Sequence, residues 1–267
     1  MPRPRKVAID ATQDSASLLL PVSLVNHIEP SLPKTAQVYD VIRRAIVTLA
    51  LPPGSVLNEK AICDQLGISR TPLREALLQL SAENLVSVVP HMGTYVTRID
   101  LQTVFDGQLV RDALEVKVVR LAAVKMTPQF ARKLDFNLQQ QSRLAKETEY
   151  DEFYELDEEF HSMICEFGAS TRVWKIVNGA KAQLDRVRRL AFPVPKHLQV
   201  ILREHVAIAN ALKAGTPNAA AAAMQLHLDR VFDTIRRLMV DQSDFFAPFK
   251  PQELDRLEAS LRETTAS

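Results

Sequence analysis

The stretch from residue 58 to residue 98 constrains the fold more than any other part of the chain. Residues 58–67 begin with asparagine, a helix-capping residue, and end with glycine, which readily follows the last helical turn. Ser69 can then cap a second helix. Its apolar residues recur at the spacing of one buried helical face, and they are Leu73, Ala76, Leu77 and Leu80. The pattern predicts two short helices joined by a tight turn, the arrangement of a helix-turn-helix.

The second predicted helix carries Arg70, Thr71 and Arg74 on the side opposite its apolar face. Two arginines alone would usually mean only a solvated helix surface. Two β-rich segments follow, however: residues 85–89 and 94–99 are joined by Pro-His-Met-Gly, which is typical of a hairpin. A hairpin behind a helix-turn-helix forms the wing of a winged helix, so the second helix is expected to enter the major groove of DNA.

This part of the chain resembles the winged-helix signature of the GntR family of bacterial transcription regulators. The resemblance rests on Pro53-Gly54, Leu57, Glu59, the run from Leu66 to Leu77, Leu80, Leu85-Val86 and Pro90 to Gly93. It implies base and phosphate contacts from the recognition helix, a basic contact before it and a close approach of the wing to the minor groove. The residues implied are Lys60, Arg70, Thr71, Arg74 and Gly93.

Length and composition allow two folded domains and favour no membrane class. The chain has 267 residues, 46% hydrophobic and 24% charged, which is ordinary for a globular protein able to bury full cores. Its apolar runs are far shorter than the roughly 18 residues that span a bilayer. Its two cysteines, Cys63 and Cys165, fall in different predicted domains, so a reduced cytoplasmic protein with buried thiols is expected. DNA binding needs only a local basic patch, and a net charge of +1 does not oppose it.

Prolines, glycines and hydrophobic periodicity divide the chain into four parts. Residues 1–34 start with basic residues and contain several prolines, which indicates a flexible arm. Residues 35–99 form the winged domain, and residues 100–240 show only helical periodicity. Residues 241–267 form a tail. The predicted fold class is therefore mainly α: a winged helix-turn-helix domain with a small β-hairpin, then an antiparallel all-α bundle of about six helices. The predicted bundle helices cover about 101–124, 127–147, 150–167, 171 to Pro193, 197–214 and 216–240.

Four polar residues lie on or beside the apolar faces of three bundle helices: Asp157 and His161 on the third, His205 on the fifth and His227 on the sixth. A single histidine in such a place is usually a hydrogen-bonded core residue. Several of them in one bundle are harder to explain in that way, because each unpaired buried polar group costs about 1–3 kcal/mol. A shared divalent ion would satisfy them together. Zinc, nickel, iron and manganese all suit this donor set.

The helical half resembles the FCD ligand-binding domain that follows the winged helix in the FadR subfamily of GntR regulators. The resemblance rests on Leu156-Asp157, Phe160-His161, Glu204-His205, Ile208, Ala211-Leu212, Gly215, Met224 and His227-Leu228. It implies that Asp157, His161, His205 and His227 bind the metal in an effector pocket. Cys165, one turn beyond His161, is expected to be a packed thiol rather than a further ligand.

Arg111, on the first bundle helix, admits two interpretations. Leu114 and Val118 are expected on the core side, and Arg111 could simply pair with Glu115 on the surface. An arginine at this place in FCD domains commonly points into the effector pocket, so the resemblance implies a contact with the effector. Because a metal ion and a guanidinium group both select carboxylates, a small organic acid is the expected effector.

Together these features predict a homodimeric transcription regulator, a repressor, that binds a palindromic operator and responds to a small carboxylate at a metal site. A metal-sensing regulator without an organic effector is the first alternative. A metalloenzyme is the second, because an open metal position can activate water. No general base or nucleophile pattern accompanies the ligands, and a DNA-binding domain has no evident use in catalysis.

Overall fold

The computed structural model describes residues 20, 21, 25, 29, 32–194 and 196–263 of the chain. Most of the predicted arm, residues 1–34, therefore lies outside the described residues. Leu20 is an anchored point within it: its side chain is 2% exposed in the core of the winged domain. The side-chain amide of Gln65 accepts from the Leu20 N–H at 3.0 Å and donates to the Leu20 carbonyl at 2.6 Å. The chain at Leu20 is thus fixed to the helix-turn-helix.

The winged domain combines three helices with a three-stranded antiparallel sheet. Asn58 caps the second helix by accepting from the Ala61 N–H at 3.0 Å, and Gly67 ends it in the left-handed conformation, with φ of 62°. Ser69 occupies the N-cap position of the next helix without a side-chain hydrogen bond. The elements are α1 (Lys34–Val47), β1 (Val56–Leu57), α2 (Glu59–Leu66), α3 (Arg70–Ala82), β2 (Val86–Val89) and β3 (Gly93–Val96).

The hairpin of β2 and β3 is the predicted wing, with Val86 opposite Val96 and Val89 opposite Gly93. The sheet order is β1-β3-β2, because β1 pairs along the other edge of β3. Strand β1 was not predicted; with only two residues it carries no alternation that a sequence could reveal. The predicted fold class, a mainly helical chain with a winged N-terminal domain, is confirmed.

The second part of the chain is a helical bundle. Its helices are α4 (Leu101–Val124), α5 (Pro128–Glu147), α6 (Tyr150–Gly168), α7 (Thr171–Ala180), α8 (Ala182–Ala191), α9 (His197–Lys213) and α10 (Pro217–Asp241). Thr127 caps α5 by accepting from the Phe130 N–H at 3.2 Å, with proline in the first turn as expected.

The fourth predicted helix is divided into α7 and α8 at Lys181. The break lies where α4 approaches closely: a Cβ built on Gly107 would be 2.7 Å from the Ala180 carbonyl oxygen. Lys181 itself is buried, and its ammonium group contacts Glu158 at 2.5 Å and Asp185 at 2.7 Å. These contacts join residues from different helices, so the division of this segment depends on packing.

The segment after α10 packs against the bundle. A 3-10 turn (Ser243–Phe245) leads to Phe246, which is buried and forms a parallel β-bridge with Ile99. Helix α11 (Pro251–Glu263) then packs on α4 through the buried Leu254. Within the described ranges, none of the helices is both long enough and apolar enough to cross a membrane.

Candidate metal centre and DNA-binding surface

The five residues predicted to contact DNA are all exposed; they are Lys60, Arg70, Thr71, Arg74 and Gly93. Arg70 and Arg74 lie one turn apart at the start of α3, on the side opposite the buried Leu73 and Leu77. In the described part of the chain, neither arginine forms a salt bridge with an acidic side chain. Both guanidinium groups are therefore available to neutralise phosphates. Gly93 begins β3 with φ of 121°, a conformation that other residues rarely adopt.

The structure brings the three predicted histidine ligands together in the bundle. His161 comes from α6, His205 from α9 and His227 from α10, and one ring nitrogen from each lies within 4.8 Å of the others. All three side chains are buried. Asp157, one turn before His161, reaches the same cluster, with its Oδ1 at 3.6 Å from His205 Nε2. Cys165 is buried nearby and is not one of the converging groups found among the described residues.

The Nδ1 atom of each histidine, on the outer side of the cluster, is held by an acceptor oxygen. Because carboxylate and amide oxygens only accept hydrogen bonds, each Nδ1 must be the donor. In a neutral imidazole the Nε2 atom then carries the lone pair, and this pattern is typical of metal-binding histidines. One ring nitrogen from each histidine is therefore turned toward the same space. The acceptors are Glu115 Oε2 for His161 at 2.5 Å, Gln141 Oε1 for His205 at 2.8 Å and Glu204 Oε2 for His227 at 3.1 Å.

Two of the inner atoms of this cluster lack hydrogen-bond partners. Asp157 Oδ1 and His205 Nε2 are buried without a hydrogen-bond partner. His161 Nε2 lies 3.2 Å from His227 Nε2 and 3.4 Å from Arg111 Nη2. Where both of these Nε2 atoms carry lone pairs, they repel each other at 3.2 Å unless a cation lies between them. Ligand bonds of about 2.0–2.1 Å at tetrahedral angles separate two ligand atoms by about 3.4 Å. The observed separations of 3.2 and 3.6 Å fit this value, so the donor set fits a divalent metal.

The protonation of Asp157, His205 and His227 suits metal binding near neutral pH. Burial lowers the pKa of His227 and, reinforced by the neighbouring His227 imidazole, holds the pKa of His205 well below its usual value. Burial opposes ionisation of Asp157. The Arg188 guanidinium and the three neighbouring histidines together outweigh that effect and keep the pKa of Asp157 well below its usual range. Two neutral imidazoles and a carboxylate are the forms that bind a metal.

Arg111 pairs with Glu115 at 2.6 Å, but the pair is buried, so the alternative of a pair on the surface does not hold. The two side chains are only 4% and 1% exposed. Leu114, which was expected on the core side, is half-buried, and Glu115 takes a fully buried position. Of the hydrogen bonds among described residues, Arg111 uses Nε and Nη2 and leaves Nη1 unused.

A small cavity of about 40 Å³ lies beside the metal centre. Three arginines contribute to its wall: Arg111, Arg188 and Arg230. Arg111 and Arg188 are buried, whereas the Arg230 side chain is 37% exposed at the rim and pairs with Glu204 at 2.5 Å. Ligand pockets usually measure about 300–1,000 Å³. An organic effector would therefore have to displace side chains at the rim. Arg230 is the most exposed of the three arginines.

Sequence reasoning missed the role of four residues that surround the candidate metal ligands: Glu115, Gln141, Arg188 and Glu204. A usable signal was present for two of them. Gln141 lies on the apolar face of α5 and Glu115 on that of α4, the same mismatch that singled out the histidines. Arg188 had no such signal, because its role depends on its contacts with Asp157 on another helix.

Comparison with known proteins decides the family. The model described as "Bacterial regulatory proteins, gntR family" matches residues 34–96, and the FCD domain model matches residues 108–230. The "HTH-type transcriptional repressor RspR" of Escherichia coli K12 is 31% identical over 226 residues, which cover 85% of this chain and 99% of that protein. This chain belongs to the GntR family.

Two further relatives of this GntR protein agree with that assignment. A "Probable D-xylose utilization operon transcriptional repressor" from Paenarthrobacter nicotinovorans is 27% identical over 194 residues, 72% of this chain and 84% of that protein. The solved structure of E. coli McbR/YncC superposes with a TM-score of 0.68 at 22% identity, covering 77% of this chain and 98% of that one, and shows the same fold. This member of the GntR family is thus a DNA-binding transcription regulator and not an enzyme. The metalloenzyme alternative is thereby removed.

Proposed function

We propose that this GntR regulator is a cytoplasmic repressor that binds a palindromic operator as a homodimer and is controlled by a small organic acid at a metal site. One observation carries the proposal: three buried histidines each bring one ring nitrogen within 4.8 Å of the others, beside a buried carboxylate whose Oδ1 lacks a hydrogen-bond partner. Relatives named as repressors support the mode of control. A two-fold dimer explains a palindromic operator, because each winged helix then binds one half-site.

The ion would be held by Asp157, His161, His205 and His227. Zinc, nickel, iron and manganese remain the candidate metals, since mixed histidine and carboxylate ligands suit each of them. When bound, the metal supplies positive charge and coordination positions for carboxylate oxygens. The protein orients the ligands through the outer acceptors and excludes water by burial, which the zero exposure of His161 and His205 illustrates.

Arg111 is the proposed effector-binding residue. Its Nε is held by Glu115, and its unused Nη1 belongs to a side chain that lines the cavity beside the ligands. A guanidinium in this position can donate to a carboxylate whose other oxygen meets the metal. The arginines around the cavity also favour an organic acid over the alternative of a pure metal sensor, because metal binding alone needs no guanidinium groups.

DNA binding is tested by replacing Arg70 or Arg74 with alanine. Each change is expected to weaken operator binding by about 1–3 kcal/mol where the arginine contacts a base, without a change in folding. Arg143→Ala is the matched control, because Arg143 is an exposed arginine on α5, with a 60% exposed side chain. Fluorescence anisotropy measures the affinity, and light scattering measures the dimer. Normal affinity in the Arg70/Arg74 double variant would contradict the proposed surface.

Effector binding is tested by titrating candidate organic acids into zinc-loaded and chelated protein. An acid that binds between the metal and Arg111 should bind wild type only with zinc present and bind Arg111→Ala more weakly. Arg120→Ala serves as the control, since Arg120 lies on the same helix and contacts Asn218 away from the cavity. If zinc alone changes operator affinity and no acid adds to the change, the metal-sensor alternative is correct.

A further inference from the structure

Helix α8 contacts both the metal centre and the winged domain. One of its residues, Arg188, pairs with the proposed ligand Asp157. Two others, Gln183 and Arg186, donate to backbone carbonyls of the winged domain and of the segment that leaves it. These three residues span less than two helical turns, so a displacement at one end reaches the other through a single rigid element.

At the metal centre, Arg188 joins α8 to α6 through a buried charge network. Its Nη2 contacts Asp157, and its Nη1 contacts Glu158 at 2.8 Å and Asp185 at 3.3 Å. Lys181 closes the network by contacting both of the latter carboxylates. A divalent ion on the free Oδ1 of Asp157 would share this carboxylate with Arg188 and repel the guanidinium. Such a repulsion is strong because the groups are shielded from water.

At the winged domain, α8 holds the turn that follows α3, which is the recognition helix. Gln183 Nε2 donates to the Asn84 carbonyl at 2.6 Å, and Asn84 adopts φ of 56° just after α3 ends. Arg186 Nη2 donates to the Thr97 carbonyl at 2.7 Å, immediately after β3. Both donors are buried, and Ala182 packs into the core of the winged domain. Movement of α8 therefore acts directly on the end of α3.

The surroundings leave room for such movement. A cleft of about 460 Å³ separates α1 of the winged domain from α6 and α7 of the bundle. Its walls are charged side chains such as Arg44 and Glu155, which form an exposed salt bridge across it at 3.3 Å. An exposed salt bridge contributes little free energy. A hydrogen bond from Arg43 Nη2 to the Asn178 carbonyl, at 3.1 Å, also joins α1 to α7, so a shift between the two domains would have to break it.

We propose that α8 transmits occupancy of the metal centre to the recognition helix, with Arg188 as the sensing residue and Gln183 as the coupling residue. The proposal rests on the proposed metal function. Gln183 does not touch the ligands, so its replacement should leave metal binding intact while separating it from the DNA-binding helix.

Hydrogen–deuterium exchange of the full chain, with and without zinc, tests this coupling. In wild type, zinc is expected to slow exchange around the ligands on α6, α9 and α10 and to change exchange in residues 81–87 and 95–99. In Gln183→Met the first effect should persist and the second should be lost. Gln199→Met is the control: Gln199 also donates to a backbone carbonyl, that of Ala145 at 3.0 Å, but within the bundle. It should behave as wild type.

Three results would overturn the coupling. The first is zinc protection at the ligands with unchanged exchange in residues 81–87 and 95–99 of wild type; this would leave the metal site standing. The second concerns Gln183→Met and a further variant, Gln183→Glu, which turns an acceptor toward the Asn84 carbonyl. If zinc still changes exchange in these segments as strongly in both variants as in wild type, the coupling is wrong. The third is the absence of any zinc effect at the ligands, which would remove the proposed metal site together with the coupling.

Discussion

Removing the metal should destabilise the protein. The size of the effect follows from the polar atoms of the cluster that are left buried without hydrogen-bond partners. Without an ion, Asp157 Oδ1 and His205 Nε2 remain buried, 3.6 Å apart and without a hydrogen-bond partner. Each such group costs about 1–3 kcal/mol, so chelation is expected to lower the free energy of unfolding by about 2–6 kcal/mol. Ligand linkage gives a consistent figure, since an ion at 1,000 times its dissociation constant stabilises the folded state by about 4.1 kcal/mol.

Urea denaturation followed by circular dichroism, in zinc and in excess chelator, measures this difference. His205→Gln removes a ligand and should lose most of the zinc effect. His197→Gln is the matched control, because His197 is a neighbouring histidine that lines the cavity but does not belong to the converging group. It should retain the wild-type response. Equal free energies of unfolding for wild type in zinc and chelator would refute the reasoning and return the histidines to the role of hydrogen-bonded core residues.

Two further predictions concern α4. Gly107→Ala should destabilise the protein by about 1–3 kcal/mol, because the added Cβ would lie 2.7 Å from the Ala180 carbonyl oxygen; an unchanged melting temperature would show that the α7–α8 junction can move aside. The change that Asp112→Asn causes in the free energy of unfolding should be about 1–3 kcal/mol more stabilising at pH 7 than at pH 4. Burial and the nearby Asp229 carboxylate raise the pKa of Asp112 to about 6, so the folded state holds a proton that the unfolded state releases, and wild-type stability falls as pH rises from about 4 to 6. Urea titrations at several pH values check this, and parallel pH profiles for the two proteins would contradict it.

Several features were determined by the sequence because their causes are local. Asn58 and Gly67 delimit α2 through contacts within a few residues of themselves. The apolar spacing that includes Leu73 and Leu77 fixes which side of α3 is buried, and thereby exposes Arg70 and Arg74. Helical periodicity has a short range and depends on residue type, so the winged domain and the helical half could be predicted without knowledge of their packing.

The histidine cluster was predictable for a related reason. A polar residue on an apolar helix face must find a partner or cost free energy, and His161, His205 and His227 each broke the apolar pattern of their helices. That argument identifies residues that need a common partner. It gives neither the distances between their nitrogens nor the oxygens that orient them.

Only the tertiary structure decided how separate helices meet. Lys181 divides α7 from α8 beside the close approach of Gly107, and Arg188 reaches Asp157 from a helix that is 31 residues further along the chain. Arg111 and Glu115 form a pair that the spacing of one helix predicts equally well on the surface or in the core. Their burial depends on the position of α4 within the bundle. That position is set by contacts between distant parts of the chain, which local propensity and periodicity do not encode.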